Sequence, residues 1–147
     1  MEKHQHSDGW MPSLTGEGKI CVVPSYPSEY LRRQELQNAL FGDDIRIIGL
    51  TRGDRFVISQ PTLKGGEPSE MEIREVLEAG GWRRVPILLQ DLPSTLMGSA
   101  WWHQEEGVIL VDARKPNFKK SETGVILPID LVLGDLTEEM KELLAAL

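Results

Sequence analysis

Between Val108 and Gly134 the chain reads VILVDARKPNFKKSETGVILPIDLVLG, two apolar runs separated by a basic, turn-forming loop. Short runs rich in Val, Ile and Leu, bounded by turn residues, read as strands. The connection, turned at SETG, is too short for a parallel crossover, so the pair is antiparallel. Each run also carries an aspartate where alternation would place a valine or isoleucine: Asp112 closes the first run and Asp130 lies inside the second. A carboxylate in a buried strand is costly unless its charge is paired or coordinates a metal. The chemistry of this chain therefore turns on what those two aspartates meet.

The rest of the sequence supplies the other elements. GKICVV reads as a strand and YPSEYLRRQELQNALFG as a helix, opened by Pro24 and Pro27, faced by Leu36, Ala39 and Leu40, and stopped by Gly42. IRIIGLT and RFVISQP read as strands joined at Arg52 to Asp54, where Arg-Gly-Asp is turn chemistry and carries no adhesion role. A Pro- and Gly-rich connector, QPTLKGGEP, leads to a helix from Ser69 to Ala79. Ser69 and Glu72 form a capping box there, Ile73, Val76 and Leu77 face inward, and Gly80 ends it. The stretch from Pro86 to Gln104 reads as mixed loop. The C-terminal DLTEEMKELLAAL is a helix entered at Thr137, with Leu136, Met140, Leu143, Leu144 and Leu147 as its apolar stripe. Residues 1–16 read as a flexible polar segment, and their His4, His6 and Asp8 as solvated side chains. The expected fold class is α+β, with small antiparallel sheets and three main helices in a single domain over residues 17–147.

Composition narrows the function. A chain of 147 residues is long enough for one core. Its 16 basic and 23 acidic side chains give a net charge of −7, which argues against sequence-independent nucleic-acid binding. Basic residues still cluster at Arg32-Arg33, Arg83-Arg84 and Arg114 to Lys120, which keeps a phosphate-bearing small ligand open. Cys21, the sole cysteine, excludes an internal disulfide and sits in an apolar run as an inert thiol. With no apolar run of membrane-spanning length and no signal-peptide core, the expected location is the cytoplasm, away from any membrane.

Asn117 follows Asp112 in the pattern D-x-x-x-x-N, and Asp130 stands on the next apolar strand. The spacing alone is common; its setting of strand, Asp, proline-containing loop, Asn, turn and second Asp-bearing strand is more specific. VILVDARKPNF…GVILPIDLVLG resembles the catalytic loop and metal-binding strand of kinase-like proteins, and is similar to the kinase-like domains of phage and mobile-element polyvalent proteins. YLRRQELQNALFGD is similar to the N-lobe helix of such domains, IRIIGLTRGDRFVISQP to the strands leading to the hinge, and PSEMEIREVLEAGGWRRV to the first C-lobe helix. The resemblance implies a truncated, two-part protein-kinase-like domain, N-lobe-like over 17–61 and C-lobe-like over 62–147. It implies Mg²⁺ and ATP as cofactors, Asp112 as catalytic base, Asn117 and Asp130 as metal ligands, and Glu35 with Lys19 as the pair that engages phosphate. The chain departs from the pattern in lacking a kinase-type Gly-rich loop, for which TGEGK at 15–19 stands in, and in lacking a lysine inside a strand.

Structural roles exist for the same residues. Asp112 could cap the ARKPN turn, Asp130 could pair with Arg114 or Lys115, and Asn117 could occupy a left-handed turn position. Two functions follow: a minimal ATP-dependent phosphotransferase, or a non-catalytic pseudokinase-like module that binds a protein partner or its own copy. Exposure of Trp82, Trp101 and Trp102 would favour the second. His103 reads as a surface or interface residue.

Overall fold

Val108 to Val111 are all buried, so this strand must be covered on both faces, and the structure is organised around it. The computed structural model describes the backbone of residues 2–4, 9–42, 46–50, 56–59 and 65–147, and the side chains of 9–42 and 65–147. The first three strands are β1 (Glu2–His4), β2 (Trp10–Leu14) and β3 (Ile20–Pro24). Helix α1 (Pro27–Phe41), strands β4 (Arg46–Leu50) and β5 (Phe56–Ser59) and helix α2 (Glu70–Ala79) follow. Then come β6 (Arg83–Arg84), β7 (Trp101–His103), β8 (Val108–Val111), β9 (Phe118–Lys120), β10 (Ile126–Pro128), β11 (Val132–Asp135) and α3 (Glu138–Ala145). Among the described residues this is a mixed α+β fold of three helices and small antiparallel sheets, as expected from the sequence.

The central sheet runs β11-β8-β7-β6. Val111 pairs with Val132, and Leu110 with both Leu133 and Trp101. Alternation along β8 sends Ile109 and Val111 to one apolar cluster, with Trp102, Val132, Ile20 of β3 and Met140 and Leu144 of α3. It sends Val108 and Leu110 to a second cluster, with Trp101, Leu133, Leu36 of α1, Ile73 and Leu77 of α2, and Phe118. The run VILV is uninterrupted because both faces of its strand are interior. Ile20 and Leu36 thus share cores with residues from the C-terminal half of the chain. The β2-β3 hairpin covers the first face closely: a Cβ on Gly134 of β11 would lie 3.0 Å from Pro12 Cδ. A glycine allows β2 to approach there.

Several expectations are corrected. The described part of residues 1–16, expected to be a flexible segment, contains two paired strands. Glu2–His4 pairs with β5, and Trp10–Leu14 pairs with β3 in full register, because backbone pairing does not depend on an apolar composition. Residues 86–104 are not all loop, because Trp101–His103 forms an interior strand whose tryptophans point to opposite faces. SETG turns β9 onto β10, a separate two-stranded ribbon, while β8 pairs with β11 beyond a kink. Helix α1 buries Tyr30, Arg33, Gln34 and Gln37 beside Leu36, and leaves Ala39 exposed. Its inward face is thus largely polar, and it ends at Gly42 in the left-handed conformation (φ 66°). Val76 and Leu147 are exposed, at the edges of stripes whose centres, Leu77 and Leu144, are buried.

Other features match the sequence reading. Ser69 Oγ accepts from the Glu72 N–H at 3.1 Å, while the Glu72 carboxylate accepts from the Ser69 N–H at 3.0 Å. Thr137 Oγ1 caps α3 by accepting from the Met140 N–H at 3.1 Å. The Arg52 to Asp54 turn and the side chains of His4, His6 and Asp8 lie outside the described residues. No helix among the described residues is long and apolar enough to cross a membrane.

Candidate functional site

Asp112 is where β8 ends, and it ends abruptly. Its φ is +73°, and it is the only non-glycine among the described residues with positive φ. Asp tolerates this left-handed conformation better than most residues, at some cost in strain. The turn is braced from every side. The Asp112 N–H donates to Ser99 Oγ at 3.1 Å, and the buried Ser99 hydroxyl donates to the Leu96 carbonyl at 2.5 Å. The Asp112 carbonyl accepts from Asn117 Nδ2 at 2.8 Å and from the Arg114 N–H at 2.9 Å. Its carboxylate is ion-paired with Arg114 Nε. Residues 115–117 then form one 3-10 turn, and Asn117 O accepts from the Ile129 N–H at 2.8 Å.

Asp130 lies in the link between β10 and β11 and has a different partner. Arg33, buried on α1, donates through Nη2 to Asp130 Oδ1 at 2.5 Å and through Nε to the Leu131 carbonyl at 2.6 Å. One guanidinium thus ties α1 to the chain leaving the kink. The Arg33 cation also lies 5.9 Å from the Tyr30 ring centroid. Burial pushes the Tyr30 phenol up to about 12; the nearby Arg33 charge opposes that rise and Asp130 adds to it.

The structure therefore joins Asp112 to Asn117 and brings Asn117 beside Ile129, but it commits Asp112 and Asp130 to different arginines. Asn117 braces a main-chain carbonyl. Among the described residues, no group of three or more His, Cys, Asp or Glu side chains is arranged to hold a metal ion. In this arrangement the three residues do not fit an Mg²⁺ site, since each carboxylate already has a cationic partner. The pairing foreseen between Asp130 and Arg114 or Lys115 is corrected: Arg114 belongs to Asp112, and Asp130 reaches an arginine 97 positions away in sequence.

The remaining candidates are dispersed. Lys19 closes the β2-β3 turn, its N–H donating to Thr15 Oγ1 at 3.1 Å and its carbonyl accepting from the Thr15 N–H at 2.8 Å. Glu35 is exposed and contacts Arg32 Nη1 at 3.3 Å; Arg32 in turn makes two 3.0 Å bonds to Asp135. Trp82, Trp101 and Trp102 are core residues and so do not mark an interface. His103 is structural: Nδ1 accepts from the Glu106 N–H at 3.1 Å, which leaves Nε2 to donate to the Gly80 carbonyl at 2.9 Å. Burial and, secondarily, Asp91 push the Cys21 thiol up, in keeping with an unreactive cysteine.

Two hollows flank the Asp112 turn. One, of about 340 Å³, is walled by Trp10, Val22, Pro93 and Leu96 and is also lined by Asp91 and Asp112. The other, a cleft of about 510 Å³, lies between α2 and residues 113–116 and is lined by Arg74, Arg84, Arg114 and Lys115. The Asp112–Arg114 pair stands between them, with its acid on one side and its base on the other. The sequence flagged Arg83-Arg84 and Arg114-Lys115 as separate basic clusters; their convergence on one cleft depends on pairing between β6, β7 and β8, which periodicity does not reveal. Compared with known proteins, the chain matches no family model, no curated protein and no solved structure.

Proposed function

We propose that this chain is a non-catalytic binding module, a pseudokinase-like relative of kinase-like domains in which the segment from Asp112 to Asp130 serves as a structural kink. One observation carries the reading: the two aspartates that would have to share a cation are each ion-paired with a separate arginine, Arg114 for Asp112 and Arg33 for Asp130. A buried arginine holding one carboxylate and one main-chain carbonyl is a fixed structural tie, since breaking it would leave the cation uncompensated. Glu35 and Lys19 support the same reading, because neither is engaged with the other or with the kink.

The second reading, a minimal phosphotransferase using Mg²⁺ and ATP, is favoured by the backbone of Asp112. A non-glycine residue held at φ +73° by three hydrogen bonds to its main-chain N–H and carbonyl is the kind of strain that collects at functional sites. The resemblance of residues 108–134 to a kinase catalytic loop points the same way. Calorimetric titration with ATP, with and without Mg²⁺, separates the readings. The binding-module reading expects no Mg²⁺-dependent heat. A Mg²⁺-dependent signal that disappears in Asp130→Asn would establish the phosphotransferase-type site instead.

A further inference from the structure

We propose that the cleft between α2 and residues 113–116 is a binding site for a small organic phosphate, independent of Mg²⁺ and of Asp130. Its lining concentrates basic side chains within an acidic protein: Arg74, Arg84, Arg114 and Lys115 line it with Glu67 and Glu70, Arg74 being ion-paired with Glu78 and Arg114 with Asp112, in a chain of net charge −7. Among the described residues, Arg84 and Lys115 have no carboxylate partner, so both can engage an incoming anion. Arg84 is also held in place. Its guanidinium carbon lies 5.2 Å from the Trp101 ring centroid, a cation–π contact that helps to position it, and a guanidinium is the side chain best suited to bind phosphate oxygens in pairs. Arg114 adds a third cation, already oriented by the Asp112 carboxylate.

The floor of the cleft has a different character. Ile73, Trp101 and Ala113 are apolar, and Met97 at the rim is exposed. A fully inorganic anion would leave that floor uncovered, whereas an aryl or alkyl phosphate would cover it while its phosphate meets the basic wall. The volume of about 510 Å³ falls within the roughly 300–1,000 Å³ usual for small-molecule sites. A phosphate drawn to Arg114 must compete with Asp112 for that guanidinium. Removing the Asp112 charge should therefore strengthen binding, an effect that no purely structural role of Asp112 predicts.

The test is calorimetric titration of the full chain with phenyl phosphate in EDTA at low salt. Saturable binding is expected, weakened as ionic strength rises. Lys115→Glu and Arg84→Gln should each weaken it roughly tenfold, equivalent to about 1.4 kcal/mol, while Asp112→Asn should tighten it several-fold. Thermal unfolding of each variant checks that it remains folded. Absence of binding at millimolar phenyl phosphate would overturn the proposal, as would unchanged affinity in both basic-residue variants or no tightening in Asp112→Asn. Tighter binding of a phosphoserine peptide than of phenyl phosphate would overturn the small-molecule assignment. Because EDTA removes Mg²⁺ and Asp130 is untouched, failure here leaves the binding-module reading to its own test.

Discussion

Asp112 and Asp130 stand on the two sides of one kink, yet they are held in opposite ways. Asp112 is strained in its backbone, and its carboxylate meets an arginine only two residues away. Asp130 lies in an ordinary turn and is half exposed, and its partner is a buried arginine from a helix near the other end of the chain. The first pair is local and borders two hollows. The second ties α1 to the central sheet. An ion pair between close neighbours constrains little of the fold, whereas one linking distant elements around a buried guanidinium constrains a great deal. Two aspartates that look alike in sequence therefore differ in what they stabilise.

This difference can be broken experimentally, and the largest effect should come from Arg33. Arg33→Ala removes the donor to Asp130 and leaves the Leu131 carbonyl without that partner, so it should cost about 3 kcal/mol in urea unfolding. Arg33→Lys should restore only part of the loss, because a single ammonium lacks the planar fork that reaches both acceptors. A loss below about 1 kcal/mol for Arg33→Ala would mean that the tie contributes no more than a surface ion pair.

Asp130→Asn should be next, at about 1–2 kcal/mol, because water compensates part of the charge lost by the half-exposed side of the pair. Helix α2 supplies a scale independent of both aspartates: Ser69→Ala removes the hydroxyl that caps Glu72 N–H and should cost roughly 1 kcal/mol. Asp112→Asn should fall below both, within roughly 0.5 kcal/mol, since Asn tolerates the left-handed region and only a partly exposed local pair is lost. An Asp112→Asn loss larger than that of Asp130→Asn would reverse the comparison.

The smallest effect is spectroscopic. Burial holds the neutral form of Tyr30, so the stability it contributes is complete below pH 10, the ordinary phenol value, and is lost as pH rises towards about 12. In a Tyr26→Phe background, absorbance should show the remaining phenol ionising near the upper end of that window. Because Asp130 raises this value, Asp130→Asn should shift the transition downward, whereas Asp112→Asn should leave it in place.

Much of the fold was legible in the sequence, because its signals are local. The Ser69–Glu72 capping box, the stop at Gly42 and the strand runs flanking SETG each report the chemistry of a few neighbouring residues. The misses share a cause in long-range pairing. Trp10–Leu14 is a strand only because Ile20–Pro24 lies beside it, and Trp101-Trp102 reads as loop until β8 is placed against it. The candidate site was legible as a segment but not as a set of contacts. Asp112 and Asn117 interact within one turn, so their spacing predicts their proximity. No local pattern announces that Asp130 reaches Arg33, because the inward face of α1 is polar and carries no apolar stripe at that position.

The most direct measurement is NMR of the full chain with ATP and Mn²⁺ in place of Mg²⁺, read as paramagnetic broadening of backbone amides. If Asp112 and Asp130 are committed to separate arginines, amide signals from 112–117 and 129–131 should broaden no more than those elsewhere on the surface. Selective and simultaneous broadening of Asp112, Asn117 and Asp130 at low Mn²⁺ would contradict the account, because it would require both carboxylates to leave their arginines and share one cation.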